Sequence, residues 1–233
     1  MKPCLIHHPA GIGDIFYLQT VARKYISMGY DVVWPVRDDL LWLSDYIPDI
    51  NFVSENGPFP LKEQYWKQDV VLVSPQFAYL GITRPHLWNI GDNMIMSSKY
   101  HVLQMNSDSW REGFTFKRNI DKENDLYYNI LGLKDDDKYV YVNSYYNTDN
   151  YVSDMFVGKE FKYPIVENEI YEGFTPFDWI KVFQNAQEIH TRPTSVSFII
   201  DVIDTKAEVY YYTFDQENYD QVSYIFRNVK SYA

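Results

Sequence analysis

Hydrophobic and polar positions alternate with two different periods along the chain, and these periods predict strands and helices in turn. Near the N-terminus, an apolar segment over residues 4–8 predicts a strand, and apolar residues at helical spacing over 15–27 predict a helix. Gly29 is placed to end that helix, and residues 31–36 predict a second strand. A short loop between the first strand and the helix favours a βαβ unit and a parallel sheet.

The same alternation continues to the C-terminus. Further strands are predicted over residues 51–53, 70–74, 138–143, 164–166, 188–191 and, as the last one, 208–212. Further helices are predicted over residues 38–46, over 122–131 up to Gly132, from a cap at Thr175, over 195–204, and in a final segment that carries Val222, Ile225, Phe226 and Val229. Strands and helices therefore form two series, 1–105 and 120–233, joined by a connection over 106–119. This order predicts an α/β protein of two small Rossmann-like halves that face each other across a cleft.

Composition narrows the class of protein. The 233 residues carry 21 Lys and Arg against 32 Asp and Glu, a net charge of −11, so the chain has no general attraction for nucleic acid or anionic membranes. With 46% hydrophobic and 23% charged residues, it is expected to be globular. A single cysteine excludes an intramolecular disulfide framework and a zinc site of several thiolates. The sequence has no apolar run of about 18 residues, so no membrane span is predicted. The polar N-terminus does not resemble a secretory signal. A cytoplasmic location is expected.

A glycine-containing loop follows the first predicted strand. Gly11 and Gly13 allow a sharp turn and a close ligand, and the helix behind them offers free N–H groups. A dinucleotide fingerprint is the obvious interpretation, but Phe16 stands where its third glycine belongs. Asp14 fits two roles: a general base toward a hydroxyl, or an ordinary helix cap. His8 lies beside it, at the strand end where open α/β sheets place ligands.

A second polar loop follows the strand over 188–191. His190 ends the strand, Arg192 lies in the loop, and Thr194 and Ser195 begin an apolar helix. Helix N–H groups, two hydroxyls and a guanidinium together can bind a diphosphate. An ordinary helix cap beside a surface arginine explains the same residues. Both loops follow strand C-terminal ends of their halves, which favours a ligand role.

Further candidates are scattered along the chain. Asn143 and Ser144 end a second-half strand and are placed to touch a base or phosphate, or to form a simple turn. Asp178 is placed to reach a ribose or to start a helix, and Arg84 is a candidate on a first-half loop. Residues 135–137 are three aspartates in a lysine-flanked turn, which predicts a solvated turn and not a metal motif. No metal site is predicted.

Two segments resemble glycosyltransferases of the GT-B class, and within them the heptosyltransferase-like family nine. Residues 8–14 are similar to that family's glycine–glycine–aspartate loop after the first strand. Residues 177–186 and 189–198 are similar to its donor-side strand, its turn with Ser or Thr, and its buried helix. The donor turn departs from the family, which usually has an acidic residue, a glycine and a histidine there.

The resemblance implies a metal-independent transfer of a sugar from a nucleotide-sugar donor to a hydroxyl acceptor, with inversion and without a further cofactor. It implies that Asp14 is the catalytic base and that the half over 120–233 binds the donor. The implied acceptor is a glycan, a lipid-linked molecule or another hydroxyl compound. The donor-side candidates are Arg192, Thr194, Ser195, His190, Asn143, Ser144 and Asp178, and the acceptor-side candidates over 1–105 are Gly11, Gly13, His8 and Arg84.

Other functions stay open at this stage. A nucleotide-sugar epimerase on the same fold would consume the donor without an acceptor. A binding or assembly protein would keep the fold without the chemistry, which the altered donor turn favours. A dehydrogenase would bind NAD instead of sugar nucleotides.

Overall fold

In the computed structural model the chain divides into two compact units, Met1–Lys117 and Arg118–Ala233. The structure describes residues 2–7, 11–57, 71–73, 95–101, 103–146, 151–152, 156, 159–213, 216–227 and 229–230. The boundary between the units falls inside the segment that the sequence predicts as the connection.

The first unit is built on a parallel sheet of four strands. Its strands are β1 (Lys2–Ile6), β2 (Tyr30–Val36), β3 (Asn51–Ser54) and β4 (Val71–Val73). They lie in the order β3-β2-β1-β4, so the strand order reverses between β1 and β4. In an open α/β sheet, a ligand crevice lies outside the C-terminal ends of the strands at such a reversal.

The helices that the structure describes in the first unit are α1 (Ile12–Ser27), the short α2 (Leu43–Tyr46), α3 (Ile95–His101) and α4 (Trp110–Gly113). Among them, α1 packs against β2 and α2 packs against β3. Ile15, Leu18 and Ala22 of α1 are buried at helical spacing, and Cys4 to Ile6 of β1 are fully buried. Gly29 has a φ of 83°, which suits glycine and ends α1 as the sequence predicts.

The segment over 106–117 is a structured part of the first unit, although the sequence predicts a connection there. Ser107–Ser109 form a 3-10 turn that leads into α4, and α4 packs on α1. Trp110 is buried, with its ring 6.0 Å from that of Tyr17. The polar residues Asn106 to Ser109 predict a loop, so the sequence pattern does not indicate this packing. The Asn106 side chain caps the turn, because its oxygen accepts from the Asp108 N–H.

The second unit is built on a parallel sheet of five strands. Its strands are β5 (Val140–Asn143), β8 (Ile165–Glu167), β9 (Glu188–Thr191), β10 (Glu208–Tyr212) and β11 (Val229–Lys230), and a separate hairpin joins β6 (Tyr145–Tyr146) to β7 (Tyr151–Val152). The sheet order is β11-β10-β9-β5-β8, so the order reverses between β5 and β9.

The helices of the second unit are α5 (Ile120–Asn124), which continues into a π turn over Asp125–Ile130, α6 (Ile180–Asn185), α7 (Ser195–Val202) and α8 (Gln216–Ser223). Gly132, with a φ of 65°, ends the helical segment as predicted. The predicted final helix is too long: α8 ends at Ser223, before Ile225 and Phe226, and Val229 lies in β11, which pairs with β10. Val222, Ile225 and Phe226 are buried at helical spacing, and that pattern extended the predicted helix too far.

Among the helices of the described ranges, none is long and apolar enough to cross a bilayer.

Candidate functional site

The first candidate site lies where β1 leads into α1. Gly11 is the N-cap of α1 with an extended backbone (φ −64°, ψ 166°), and Asp14 lies in the first helical turn. The backbone N–H of His7 donates to the Val73 carbonyl at 2.8 Å, which ties the end of β1 to β4. Asp14 is therefore carried on the helix that starts at the reversal of strand order in the first sheet.

An ion pair joins Asp14 to Lys99 of α3. The Lys99 amino group donates to Asp14 Oδ1 and lies 3.3 Å from Met96 Sδ. The Lys99 side chain is fully buried, whereas the Asp14 side chain is 21% exposed. Burial lowers the pKa of Lys99 to about 7, because a buried ammonium loses its hydration. The Asp14 carboxylate acts in the opposite direction, since an adjacent anion favours the ammonium form.

Neighbouring contacts fix α3 against α1. The Tyr100 hydroxyl donates to the Tyr17 carbonyl at 2.5 Å, and the two rings meet edge to face at 4.9 Å. Tyr100 follows Lys99 directly, and Tyr17 lies one turn after Asp14. The same interface that buries these aromatic rings therefore sets the position of the ion pair.

Of the remaining first-half candidates, the structure describes the two glycines. Gly13 is the second residue of α1, and Gly11 has a negative φ, so the turn does not require the positive φ that glycine allows. Among the described residues, no heavy atom would lie within 4 Å of a Cβ at Gly11. His8 and Arg84 lie outside the described residues.

The second candidate site lies at the reversal of strand order in the second sheet. Asn143 ends β5 and pairs in register with Thr191, which ends β9. The buried Asn143 side chain donates from Nδ2 to Thr191 Oγ1 at 3.0 Å and to Thr194 Oγ1 at 3.1 Å. Asn143, Thr191 and Thr194 thus form one hydrogen-bonded group, which we call the amide–threonine cluster.

The direction of these bonds follows from the neighbouring carbonyl. Thr191 Oγ1 donates its hydrogen to the Arg192 carbonyl at 2.9 Å, so it can only accept from Asn143. This requirement fixes Nδ2 as the atom that faces the threonines. Asn143 Oδ1 is buried, and within the described ranges no group donates a hydrogen bond to it. That oxygen is an acceptor aimed away from the two threonines.

Helix α7 begins directly beside the amide–threonine cluster. Thr194 is its N-cap and forms a capping box with Ser197, whose hydroxyl accepts from the Thr194 N–H at 3.1 Å. The Ser197 hydroxyl donates to the Arg192 carbonyl at 2.9 Å, which holds the turn before the helix. Half-buried Thr194 and Ser195 stand at the positive end of the helix, where the first N–H groups favour an anion. The sequence leaves Thr194 and Ser195 open as the helix cap, and the structure has Thr194 in that position.

Four other donor-side candidates have defined surroundings in the second unit. The Arg192 side chain is almost fully buried directly before the α7 cap. The Ser144 hydroxyl donates to Glu167 Oε1 at 2.5 Å, at the ends of β5 and β8. Asp178 Oδ2 accepts from the N–H and hydroxyl of Thr175 at 2.7 and 3.0 Å, which is a helix-capping role.

His190 is directed away from the amide–threonine cluster, because neighbouring residues of a strand alternate between the faces of a sheet. Its Nδ1 lies 2.5 Å from the Tyr212 hydroxyl and its Nε2 lies 3.0 Å from Glu188 Oε2. Its ring stacks on that of Tyr210 at 4.7 Å. These contacts give His190 a place in the packing of β9 against β10.

Sequence reasoning missed Lys99, Thr191 and Ser197. Lys99 belongs to a helix that the sequence pattern did not indicate, and nothing local signals that a lysine is buried. Thr191 and Ser197 carry a usable signal, since hydroxyl residues bracket the loop between β9 and α7. Residues 135–137 lie in an exposed turn as predicted. Within the part of the chain that the structure describes, no group of three or more His, Cys, Asp or Glu side chains is arranged to hold a metal ion.

Solved structures share this fold. The chain is similar to the glycosyl transferase family 9 protein from Veillonella parvula DSM 2008, with a TM-score of 0.56 and 10% identity over 99% of this chain and 86% of that one. It is also similar to the iron-containing dodecameric glycosyltransferase TibC from enterotoxigenic E. coli H10407, with a TM-score of 0.52 and 11% identity over 91% of this chain and 59% of that one. No protein-family model and no curated protein sequence matches the chain.

The predicted α/β class with parallel sheets is confirmed, and the resemblance stated from the sequence is confirmed for the fold. The predicted arrangement of two halves across a cleft stays a prediction. The chain has the fold of the solved glycosyl transferase family 9 structure and of the solved glycosyltransferase TibC.

Proposed function

We propose that the protein is a glycosyltransferase that moves a sugar from a nucleotide-sugar donor to a hydroxyl acceptor. The observation that carries the proposal is the amide–threonine cluster at the start of α7. It places hydroxyl groups and free helix N–H groups at the reversal of strand order, where open α/β sheets bind nucleotides. The fold shared with family 9 glycosyltransferases supports the same function.

The donor diphosphate is proposed to bind at the N-terminus of α7. Thr194 Oγ1 accepts from Asn143, so its own hydrogen can be donated to a phosphate oxygen. Ser195 and the first N–H groups of α7 supply further donors, and Arg192 is proposed to add a positive charge. Asn143 Oδ1 is the complementary acceptor for a hydroxyl or amino group of the donor.

Asp14 is proposed to act as the general base. Its side chain is partly exposed in the first turn of α1. In the transfer step, the acceptor oxygen bonds to the anomeric carbon as the bond from that carbon to the diphosphate oxygen breaks. The hydroxyl proton goes to Asp14, and the electron pair leaves with the nucleoside diphosphate. An in-line displacement of this kind inverts the anomeric centre.

The leaving group is proposed to be stabilised without a metal ion. Charge develops on the diphosphate as the glycosidic bond breaks, and fixed N–H groups, hydroxyls and a guanidinium can stabilise it. Donor binding should therefore be insensitive to a chelator. The proposed acceptor is the one that the resemblance implies: a glycan, a lipid-linked molecule or another hydroxyl compound.

A thermal-shift screen tests the donor site. The full chain is heated with UDP, GDP, ADP, CMP or NAD, with and without EDTA. A ligand at 100 times its dissociation constant stabilises the fold by about 2.7 kcal/mol. The expected result is a chelator-insensitive shift with one nucleoside diphosphate, and a loss of that shift in Thr194→Val. Thr115→Val, at an exposed threonine of the first unit, is the matched control and should keep the shift.

Other outcomes distinguish the alternatives. A shift with NAD alone would favour a dehydrogenase and overturn the proposal. A shift with none of the nucleotides would favour a binding or assembly protein. Consumption of a nucleotide sugar with a change in its sugar configuration, and without transfer, would favour an epimerase.

A further inference from the structure

The buried ion pair in the first unit points to a residue that the sequence patterns do not single out. Lys99 stands on α3, and its amino group contacts a carboxylate on α1 that lies 85 positions earlier in the chain. Burying an ammonium is costly, so a lysine at such a place needs an anion beside it. Asp14 supplies that anion, although its own side chain keeps contact with solvent.

We propose that Lys99 is a positioning residue for the base Asp14, and this inference rests on the proposed function. The ammonium donates to Oδ1 and thereby fixes the orientation of the carboxylate on the first turn of α1. A carboxylate held in one orientation presents its second oxygen to the acceptor hydroxyl in a constant direction, which is the geometric condition for general base catalysis. Lys99 itself accepts no proton in the transfer step.

The surroundings restrict the movement of Lys99. Met96 Sδ lies 3.3 Å from its amino group, and the adjacent Tyr100 is anchored to the Tyr17 carbonyl. Contacts within α3 and contacts with α1 therefore restrict the position of the amino group together. An exposed lysine would lose side-chain entropy on forming such a contact, whereas the packing of α3 already orders Lys99.

The titratable groups near the ion pair include Tyr17, Tyr100 and His7, and burial shifts the pKa of each. Burial raises the pKa of Tyr17 and Tyr100, so both phenols stay neutral near pH 7. Burial lowers the pKa of His7 at the end of β1, which favours its neutral form. The Asp108 carboxylate raises the pKa of Tyr17, and the guanidinium of Arg111, on α4, lowers it.

The pair itself can be tested without any assay of activity. Lysine side chains are labelled with ¹³C and ¹⁵N, and the Lys99 amino group is titrated by NMR in the wild type and in Asp14→Asn. The wild-type group should titrate near its expected pKa of about 7. Without the carboxylate, that pKa should fall by at least about one unit. An unchanged pKa would show that the two groups do not interact and would overturn the proposal.

The positioning role is tested by turnover. Release of nucleoside diphosphate is measured from UDP-glucose, GDP-mannose and ADP-glucose, with water as the acceptor. In Lys99→Met, kcat should fall at least about tenfold, while the KM for the donor stays within about threefold, because the proposed donor contacts lie in the second unit. Lys99→Arg keeps a cation and should recover part of the loss. Lys24→Met removes an exposed lysine of α1 and should change nothing.

The double variant Asp14→Asn/Lys99→Met guards against a folding defect. It leaves no buried unpaired charge, and it should be no slower than Asp14→Asn alone, because Lys99 acts through Asp14. Unaltered kcat in a folded Lys99→Met protein would overturn this inference and leave the proposed function intact. If the wild type turns over no donor, the proposed function fails and this inference fails with it.

Discussion

Asn143 Nδ2 lies 3.1 Å from Thr194 Oγ1, although 51 positions separate the two residues in the chain. The same nitrogen contacts Thr191, so one amide joins the ends of two neighbouring strands to the start of α7. An amide suits this place because both hydroxyl oxygens need a donor. Two donor-side candidates from separate parts of the sequence, Asn143 and Thr194, are thereby brought together at the C-terminal end of the second sheet.

Asn143→Asp should weaken nucleoside diphosphate binding without a change in side-chain shape. The carboxylate cannot donate to the two threonines, and its charge repels a diphosphate bound at the α7 N-terminus. We expect at least about a tenfold loss of affinity and a loss of about 1–3 kcal/mol in stability. Isothermal titration with the nucleotide found by thermal shift measures the first, and urea unfolding measures the second.

Asn129→Asp is the matched control for that substitution. Asn129 is exposed on the π turn, where its amide contacts Asp125 at 2.7 Å. It should leave nucleotide affinity unchanged. Equal effects of the two substitutions would show that net charge, and not the amide–threonine cluster, controls binding.

Gly113→Ala should destabilise the first unit. A Cβ at Gly113 would lie 2.6 Å from Thr20 Cα, and backbone atoms of α1 cannot move aside cheaply. Arg23 also holds this crossing, since its guanidinium donates to the carbonyls of Gly113 and Thr115. Overpacking at such a contact costs about 1–3 kcal/mol.

Urea unfolding compares Gly113→Ala with Gly57→Ala. A Cβ at Gly57 would make an ordinary 3.4 Å contact with Ser54 Cβ. The free energy of unfolding of Gly57→Ala should therefore differ from that of the wild type by less than about 0.5 kcal/mol. If Gly113→Ala is as stable as the wild type, the close packing of α4 on α1 is wrong.

Lys99 should make the stability of the fold depend on pH. Its pKa is about 7 when buried and near the ordinary 10.5 when the chain unfolds. Between these values the unfolded state binds more protons than the folded state, so this group adds stability as pH rises from 7 to 10.5. The contribution is fully present above pH 10.5 and is lost as pH falls toward 7.

Unfolding in urea at pH 7, 8, 9 and 10 checks this dependence. Relative to Lys99→Met, the wild type should gain stability with each step, because the substituted side chain cannot titrate. Tyrosines and other groups titrate in both proteins and cancel in the comparison. Parallel stability curves would mean that Lys99 is not buried as described.

Much of the fold follows from local patterns in the sequence. The apolar run Cys4 to Ile6, the helical spacing on α1 and the alternation over 138–143 predict strands and helices that the structure confirms. Val229 was assigned to a helix because strand β11 is only two residues long and has no period of its own. The helix α3 was missed for a related reason, since its seven residues mix polar and apolar types.

The candidate site was predictable only where a motif is local in sequence. Thr194 and Ser195 are residue types that favour a helix start, and Asp14 follows a loop with glycines, so both motifs can be recognised in the sequence. The Lys99–Asp14 pair depends on the packing of α3 against α1, and the amide–threonine cluster depends on the register of β5 with β9. Tertiary contacts of this kind leave no periodic trace in a single sequence. For Asp178, the local sequence pattern fits both a helix-capping role and a ligand role. The structure shows the helix-capping role.

The central claim is that Asp14 is the base of a glycosyl transfer, and Asp14→Asn tests it most directly. Nucleoside diphosphate release from the nucleotide sugar that the wild type uses is measured together with the affinity of that nucleoside diphosphate. The account predicts that turnover falls by at least about 100-fold while affinity is unchanged, because the amide cannot take the acceptor proton. Equal turnover in the folded variant would contradict the account and leave Asp14 as the partner of a buried lysine.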